Sequence, residues 1–339
     1  MPLVTTTPGN YDDIITTTLQ LYVKRIEDNF YDALPHWHML NRTGAVKMYD
    51  GGESFIVPVL FADNTTAKRF AANYDDISVT PQNVLTAAQY LPRLYGASVT
   101  ISLAEELDND GMARALDLLQ SKVESAELSL RNLLNGDGLG NTNGIAGAIT
   151  GLADGLEDNG TGAVTTGTVG GINKATFTWW RAIGGSDGTP ALNVASAFGT
   201  NGRSMMSSGY NAASAGSSDH PQMIVTTRAT YENYERSMES HLQMFPLNSR
   251  DSAKGDPKFQ MLAFRGALVY FDNDCPANRM YMLNPRYYYL KVHRKGHFRA
   301  TPFVKFPNQL ARVAQIYWRG SICFSNMKRH AVLINTDTF

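Results

Sequence analysis

The chain is poor in charge, in cysteine and in long apolar runs. Only 18% of its 339 residues are Asp, Glu, Lys or Arg, below the usual quarter, and the formal net charge is −1. Mutual repulsion therefore does not secure solubility, and a large part of the surface is expected to be buried against copies of the chain. The same balance argues against a dedicated nucleic-acid binder, which would carry a basic excess. Cys275 and Cys323 are the only cysteines. Two in so long a chain make no disulfide framework, and reduced thiols in an intracellular protein are expected. No stretch approaches the roughly 20 apolar residues that span a bilayer. The opening, MPLVTTTPGNYDD, has no basic region and no apolar run, so no signal peptide is evident. Fibrous repeats are also missing. With 339 residues the chain exceeds the size at which one core stops growing, so two lobes are expected.

What is present is pattern. The longest helical pattern runs from Met112 to Asn135. Met112, Leu116, Leu119, Val123, Ala126, Leu130 and Leu133 recur in steps of four and three, which aligns them on one stripe of an α-helix about 36 Å long. Arg114, Asp117, Lys122, Glu124, Glu127 and Arg131 take the other face, with Glu127 and Arg131 in the favourable i, i+4 order. Asp108, Asn109 or Asp110 can cap the start, and Gly136 is expected to end the helix. A helix laid against a sheet fits better than a coiled coil, because the stripe covers little more than three heptads and has only Ala at 126.

Ahead of this helix, the first ten residues read as an extended arm, either disordered or ordered by a neighbouring molecule. A helix follows, with Ile15, Leu19, Tyr22, Ile26 and Phe30 on one face and Pro35 as its stop. Residues 44 to 100 read as two long strands joined by a polar tip. The first covers about Ala45 to Phe61, interrupted at Asp50-Gly51-Gly52, and Pro58 marks it as an edge. The tip, Ala62 to Asp76, holds Asp63, Lys68, Arg69, Asp75 and Asp76. The return strand runs from Ile77 towards Thr100, broken at Pro81 and Pro92. A two-stranded ribbon is marginal alone in water. It needs a partner surface, either on a neighbour or on its own chain's sheet.

Ser102 and Glu105 form a capping box for a short helix up to Asp108. Gly136 to Gly171 is a Gly-rich region, either mobile or ordered by a partner, with Phe177, Trp179 and Trp180 anchoring its end on a core. From about Leu192 the pattern is α/β. A weak helix is expected over Val194 to Ala213 and another from Thr227 to about Leu242. Strands are expected at Met223 to Val225, Ala267 to Phe271, Met280 to Leu283, Tyr287 to Val292, Phe298 to Val304, Ala311 to Trp318, Ser321 to Phe324 and Ala331 to Ile334, with a turn at Arg319-Gly320.

No constellation reads as a catalytic, cofactor or metal site, so the chain is not expected to be an enzyme. Gly136-Asp137-Gly138-Leu139-Gly140 has the glycines of a phosphate loop, but it follows a helix instead of a strand. Ser218, Asp219 and His220 have the residue types of a hydrolase triad, yet adjacent loop residues cannot form its hydrogen-bond chain. His36 and His38 lack further ligands nearby. Lys291, His293, Arg294, Lys295, His297 and Arg299 form a basic run that reads as a solvated or subunit-facing strand edge before it reads as a phosphate site. Cys275 has no nearby base to make it a nucleophile.

The order of elements carries more information: arm, helix, long hairpin, long helix, Gly-rich loop, α/β lobe, long strands. In that order the chain resembles the major capsid proteins of tailed bacteriophages with the Hong Kong 97-type fold. Lys47 to Phe61 with Ile77 to Thr100 looks like their extended E-loop, Met112 to Asn135 like the spine helix, and Phe303 to Trp318 like the long strand of the peripheral domain. Gly266 to Leu283 resembles the strand-turn-strand of the axial domain. The resemblance implies an α+β chain with an N-terminal arm and helix (1–43), an E-loop hairpin (44–98), a peripheral domain (99–190 and 301–325) and an axial domain (191–300 and 326–339). It further implies hexamers and pentamers closing into an icosahedral shell around a double-stranded DNA genome, in a virion assembled in the host cytoplasm. No cofactor and no membrane are implied. The partners would be copies of the chain, a separate scaffolding protein, portal and decoration proteins, and DNA held by confinement. Encapsulin-like cargo shells share this fold, and an α/β enzyme with an unrecognised site is the alternative from another class. Phe61, Lys68, Arg69 and Phe70, at the hairpin tip, are the expected intersubunit contacts. Lys68 has no identified partner for cross-linking.

Overall fold

In the computed structural model, residues 34–71, 74–108, 118–194, 197–216, 218–239, 262–305 and 309–339 are described. The expected N-terminal arm and helix, the start of the long helix and the end of the helix after Thr227 lie outside them. The chain divides into two compact units. One takes in 96–131 and 298–317. The other takes in 32–95, 132–297 and 318–339.

In chain order the elements are α1 (Pro35–Arg42), β1 (Val46–Tyr49), β2 (Phe55–Leu60), β3 (Leu85–Tyr90), β4 (Arg93–Ser102), α2 (Leu103–Asp108), α3 (Leu118–Leu139) and the single turn α4 (Leu152–Gly155). Two short strands follow, β5 (Thr168–Val169) and β6 (Ile172–Asn173), then β7 (Ile183–Gly184), α5 (Arg203–Ala213), β8 (Met223–Thr226) and α6 (Arg228–Glu239). The remainder is strand: β9 (Leu262–Phe264), β10 (Ala267–Phe271), β11 (Arg279–Leu283), β12 (Tyr288–His293), β13 (Arg299–Ala300), β14 (Val304–Lys305), β15 (Ala311–Phe324) and β16 (Ala331–Ile334).

In the smaller unit, the first half of β15 pairs with β13 and β14, Arg299 opposite Tyr317 and Val304 opposite Val313. The expected strand from Phe298 to Val304 is thus two short pairings, because Pro302 between them has no amide to donate. The capping box forms as the sequence specified. Glu105 N–H donates to Ser102 Oγ at 3.2 Å, and Ser102 N–H donates to Glu105 Oε2 at 3.1 Å. Lys122 adds a 2.7 Å ion pair to the same Glu105 and, with the Ser102 amide, holds its carboxyl below the usual range.

Helix α3 differs from its expected end. It runs through Gly136 and Gly138 to Leu139. The buried positions are Leu130, Leu134, Asn135, Gly138 and Leu139, whereas Leu133 is 53% exposed. The core-facing stripe therefore steps by fours at this end, as a 3.6-residue period allows, and a strict seven-residue stripe does not fit. The Glu127–Arg131 pair forms at 2.5 Å.

The larger unit holds the main core. Six strands lie in the order β7-β16-β11-β8-β10-β9. β8 and β10 are parallel, while β11 runs antiparallel to β8 and β16. β8 and β16 are buried at every position, which is why Met223-Ile224-Val225 and Ala331 to Ile334 read as unbroken apolar runs. One side of this sheet packs against α5 and α6 through Met206, Tyr210, Ala213, Tyr231 and Tyr234.

A second set of strands in this unit joins β1, β12 and the end of β15. β1 runs parallel to β12, Lys47 opposite Lys291, and β12 runs antiparallel to β15, Lys291 opposite Ser321. β15 is one continuous strand, and the turn expected at Arg319-Gly320 is absent. Gly320 instead lets two backbones close up. A Cβ there would lie 2.5 Å from the Lys291 carbonyl oxygen.

Carboxylates of this chain hydrogen-bond the Gly-rich region. Asp154 accepts from the Thr142 amide at 2.7 Å and its hydroxyl at 2.6 Å, and Asp187 accepts from the Val164 amide at 2.7 Å. Glu157 is fully buried and accepts from both Arg279 Nε (3.0 Å) and the Tyr281 hydroxyl (2.7 Å). Trp180 is buried and donates to the Val169 carbonyl at 3.0 Å, as an anchor should, while Phe177 is left 43% exposed.

Candidate functional site

The hairpin of β2 and β3 is a separate two-stranded sheet with Phe55 opposite Tyr90 and Leu60 opposite Leu85. Its alternation is clean. Phe55, Val57, Val59, Ala88 and Tyr90 are buried, whereas Ile56, Leu60 and Leu85 are 66%, 68% and 63% exposed. The buried face is covered by the hairpin's own chain. Gln89 N–H donates to the Gly170 carbonyl at 2.9 Å, and the Tyr90 hydroxyl donates to the Phe324 carbonyl at 2.9 Å. Gly170 has φ +60°, and a Cβ on it would sit 2.9 Å from Ala88 Cβ, so the Gly-rich region forms the seat of the hairpin. The expectation of a ribbon in need of a partner thus resolves into two faces. The inner one is satisfied within the chain, and the outer one is apolar and open.

Beyond the strands, the tip is held by local polar contacts. Asn64 Oδ1 accepts from the Thr66 amide (2.9 Å) and hydroxyl (2.7 Å), and Thr65 donates to Gln82 at 2.7 Å. Asp75 accepts from the Ala71 amide at 2.9 Å. Lys68 lies 3.5 Å from Asp75 and donates to the Asp76 carbonyl at 3.3 Å. That ion pair is exposed and contributes little stability. Phe61 is stacked on Trp179 with centroids 5.3 Å apart, at the end of the ladder where the tip begins. Lys68, Arg69 and Phe70 are exposed at the tip, Phe70 by 59%. Of the expected contact residues, Lys68, Arg69 and Phe70 lie in the tip and Phe61 at its start. The sequence reading missed Tyr74, Ile77 and Val79, which are 96%, 56% and 93% exposed and enlarge the apolar surface of the tip. Single apolar exposures are ordinary, but a cluster of this kind marks an interaction surface.

The other candidates are used structurally. The amide of Gly140 donates to the Gly136 carbonyl at 2.8 Å inside the last turn of α3, so this Gly-rich stretch offers no phosphate cradle. Asp219 accepts from Asn284 and the Tyr287 hydroxyl, both at 2.7 Å, and His220 packs beside the Tyr210 ring. His36 is fully buried between the hydroxyls of Tyr270 and Tyr288, each at 2.9 Å, and burial lowers its pKa to about 3. Burial pushes the Cys275 thiol well above its ordinary value, which removes the thiolate a nucleophile needs. Among the described residues, no group of three or more His, Cys, Asp or Glu side chains is placed to hold a metal ion. None of their helices is long and apolar enough to cross a membrane.

Two compact units, a β-hairpin projecting an apolar tip and a long helix ahead of a Gly-rich region can be compared with solved structures. A cyanophage A-1(L) capsid asymmetric unit superposes with a TM-score of 0.68 at 19% identity, covering 94% of this chain and 97% of that one. This is the Hong Kong 97-type capsid fold. The capsid of a native GTA particle matches with a TM-score of 0.57 at 15% identity, over 93% of this chain and 95% of that one. The capsid of Myoviridae phage XM1 matches with a TM-score of 0.57 at 11% identity, over 94% and 97%. No family model matches the sequence, and no curated protein matches it. The fold therefore survives where sequence similarity does not, as expected when burial pattern and not residue identity specifies a core.

Proposed function

We propose that this chain is a tailed-phage major capsid protein. It assembles through copies of itself, as hexamers and pentamers, into an icosahedral shell that encloses double-stranded DNA. The supporting observation is the hairpin, seated on its own chain by one face and presenting apolar residues on the other and at the tip. Such a surface is unfavourable on a lone subunit and useful on one that will be covered. The shared fold supports the same reading. In it, 99–190 with 301–325 form the peripheral domain and 191–300 with 326–339 the axial domain. Phe61, Lys68, Arg69 and Phe70 touch a neighbouring subunit. A separate scaffolding protein, a portal and decoration proteins complete the particle, which forms in the host cytoplasm.

Negative-stain electron microscopy and light scattering of the purified chain, alone and with a co-expressed scaffold, test the proposal. Closed shells or rings of five and six are expected. A monodisperse monomer or dimer under both conditions would overturn it. Deleting 64–73 should abolish shells while leaving a folded subunit by circular dichroism. Normal shells from that deletion would remove the tip from the interface.

A further inference from the structure

One face of the β1-β12-β15 strands carries unopposed positive charge. Lys47 and Lys291 are register partners in adjacent parallel strands, about 4.8 Å apart in the pairing direction. Like charges so placed repel. Arg319 shares the face. It lies two residues before Ser321, the partner of Lys291, and a Cβ added to Gly296 would meet Arg319 Cβ at 3.4 Å and His293 Cβ at 3.5 Å. Lys47 and Arg319 are exposed and Lys291 is half-buried. None of the three has a carboxylate partner among the described residues. Other surface cations do: Lys122 with Glu105, Arg131 with Glu127, Arg228 with Glu232, and, at the end of the same strands, Arg294 with Asp50 at 3.2 Å.

Aromatic rings form the floor of the patch. Lys47 Nζ sits 3.7 Å above the centroid of Tyr289, and Lys291 Nζ sits 4.9 Å from that of Phe55. Tyr289 and Phe55 are both buried. The rings hold the two ammonium groups in place without neutralising them. In a chain of net charge −1, three neighbouring cations without a counter-charge form a local excess.

We propose that this face binds the phosphodiester backbone of nucleic acid, without regard to sequence. The cations stand side by side across neighbouring strands, where they can meet successive phosphates. Point charges that meet phosphates carry no sequence information. The source of the nucleic acid rests on the shell reading above, but the binding itself does not.

The test uses the full-length unassembled subunit and a fluorescein-labelled 20-base-pair duplex of mixed sequence, with anisotropy read from 50 to 200 mM salt. The triple variant Lys47→Gln, Lys291→Gln, Arg319→Gln should bind at least tenfold more weakly at 50 mM. Its plot of log affinity against log salt should be shallower by about 2 to 3, as expected for three lost phosphate contacts. The charge-conserving variant Lys47→Arg, Lys291→Arg should bind like the wild type. A triple variant with wild-type circular dichroism and a cooperative melt is used for the comparison, which separates lost binding from lost folding. Equal binding by wild type and triple variant, or no wild-type binding at 50 mM salt, would overturn the proposal. So would a triple variant that keeps duplex binding but no longer assembles, since the face would then meet an acidic protein surface. Shell formation is scored separately by microscopy, so failure of the one reading is not failure of the other.

Discussion

Glu157 shows how much one buried charge can organise. It accepts from Arg279, Tyr281 and the Gly162 amide, and its carbonyl accepts from buried Lys174 at 2.9 Å. Burial lowers the Lys174 pKa to about 8, while Asp158, Glu157, Asp154 and Asp187 oppose a further fall. Removing one partner from such a pair strands the other, at a cost of about 3–5 kcal/mol. Glu157→Gln should therefore lower the denaturant midpoint steeply. A variant within about 0.5 kcal/mol of wild type would mean that the network is not integral to the fold. His36 and His330 make a pH prediction. Burial lowers both from 6.5 to about 3 in the folded chain. The unfolded chain thus takes up their protons first as pH falls, so their contribution is full above 6.5 and lost between 6.5 and about 3. Each steepens the loss by up to about 1.4 kcal/mol per pH unit. His36→Gln should flatten the stability profile between pH 6 and 4, as read by urea midpoints. Asp272, which accepts from the His36 amide and whose own pKa burial raises, works in the opposite direction and remains in the variant.

At the scale of elements, legibility followed local chemistry. The capping box at Ser102, the Glu127–Arg131 pair, the buried runs of β8 and β16, and the break at Asp50-Gly51-Gly52 are short-range signals and were readable. Ser102→Ala should accordingly cost about 1 kcal/mol in thermal or chemical denaturation. The glycines misled in both directions. Gly136 does not end α3, and Gly320 does not turn β15, because the reason for glycine at 320 is a backbone brought close from β12, far away in sequence. The hairpin's first strand was legible from alternation, whereas the return strand expected from Ile77 begins only at Leu85. The hairpin's seat was not legible, since Gly170, Phe324 and Trp179 reach it only through tertiary contact. Phe61, where the tip begins, likewise meets its ring partner Trp179 only through the fold. Gly170→Val should loosen the seat through the clash with Ala88 and the positive φ. Limited proteolysis within 61–84 should then be several-fold faster than in the wild type, and an unchanged cleavage rate would discount the seat.

For the whole molecule, the order of elements was legible where individual motifs were not. Low charge, a hairpin with a small core and a long helix each have ordinary explanations, and only their sequence along the chain pointed to the capsid fold. The division into two compact units also has a practical consequence. Besides a crossing in the turn between β12 and β13, at 297–298, the chain passes from one unit to the other inside β4, inside α3 and inside β15, at 95–96, 131–132 and 317–318. At those three crossings no slack peptide is left for a protease to grip, because each falls within a hydrogen-bonded strand or helix. A cut in the turn at 297–298 alone would leave the units joined through those three elements. The subunit's susceptible bonds should lie on the hairpin tip and in the turn at 297–298, and fragments expressed as separate units should fail to fold, since each would begin or end in the middle of β4, α3 or β15, an element it cannot complete.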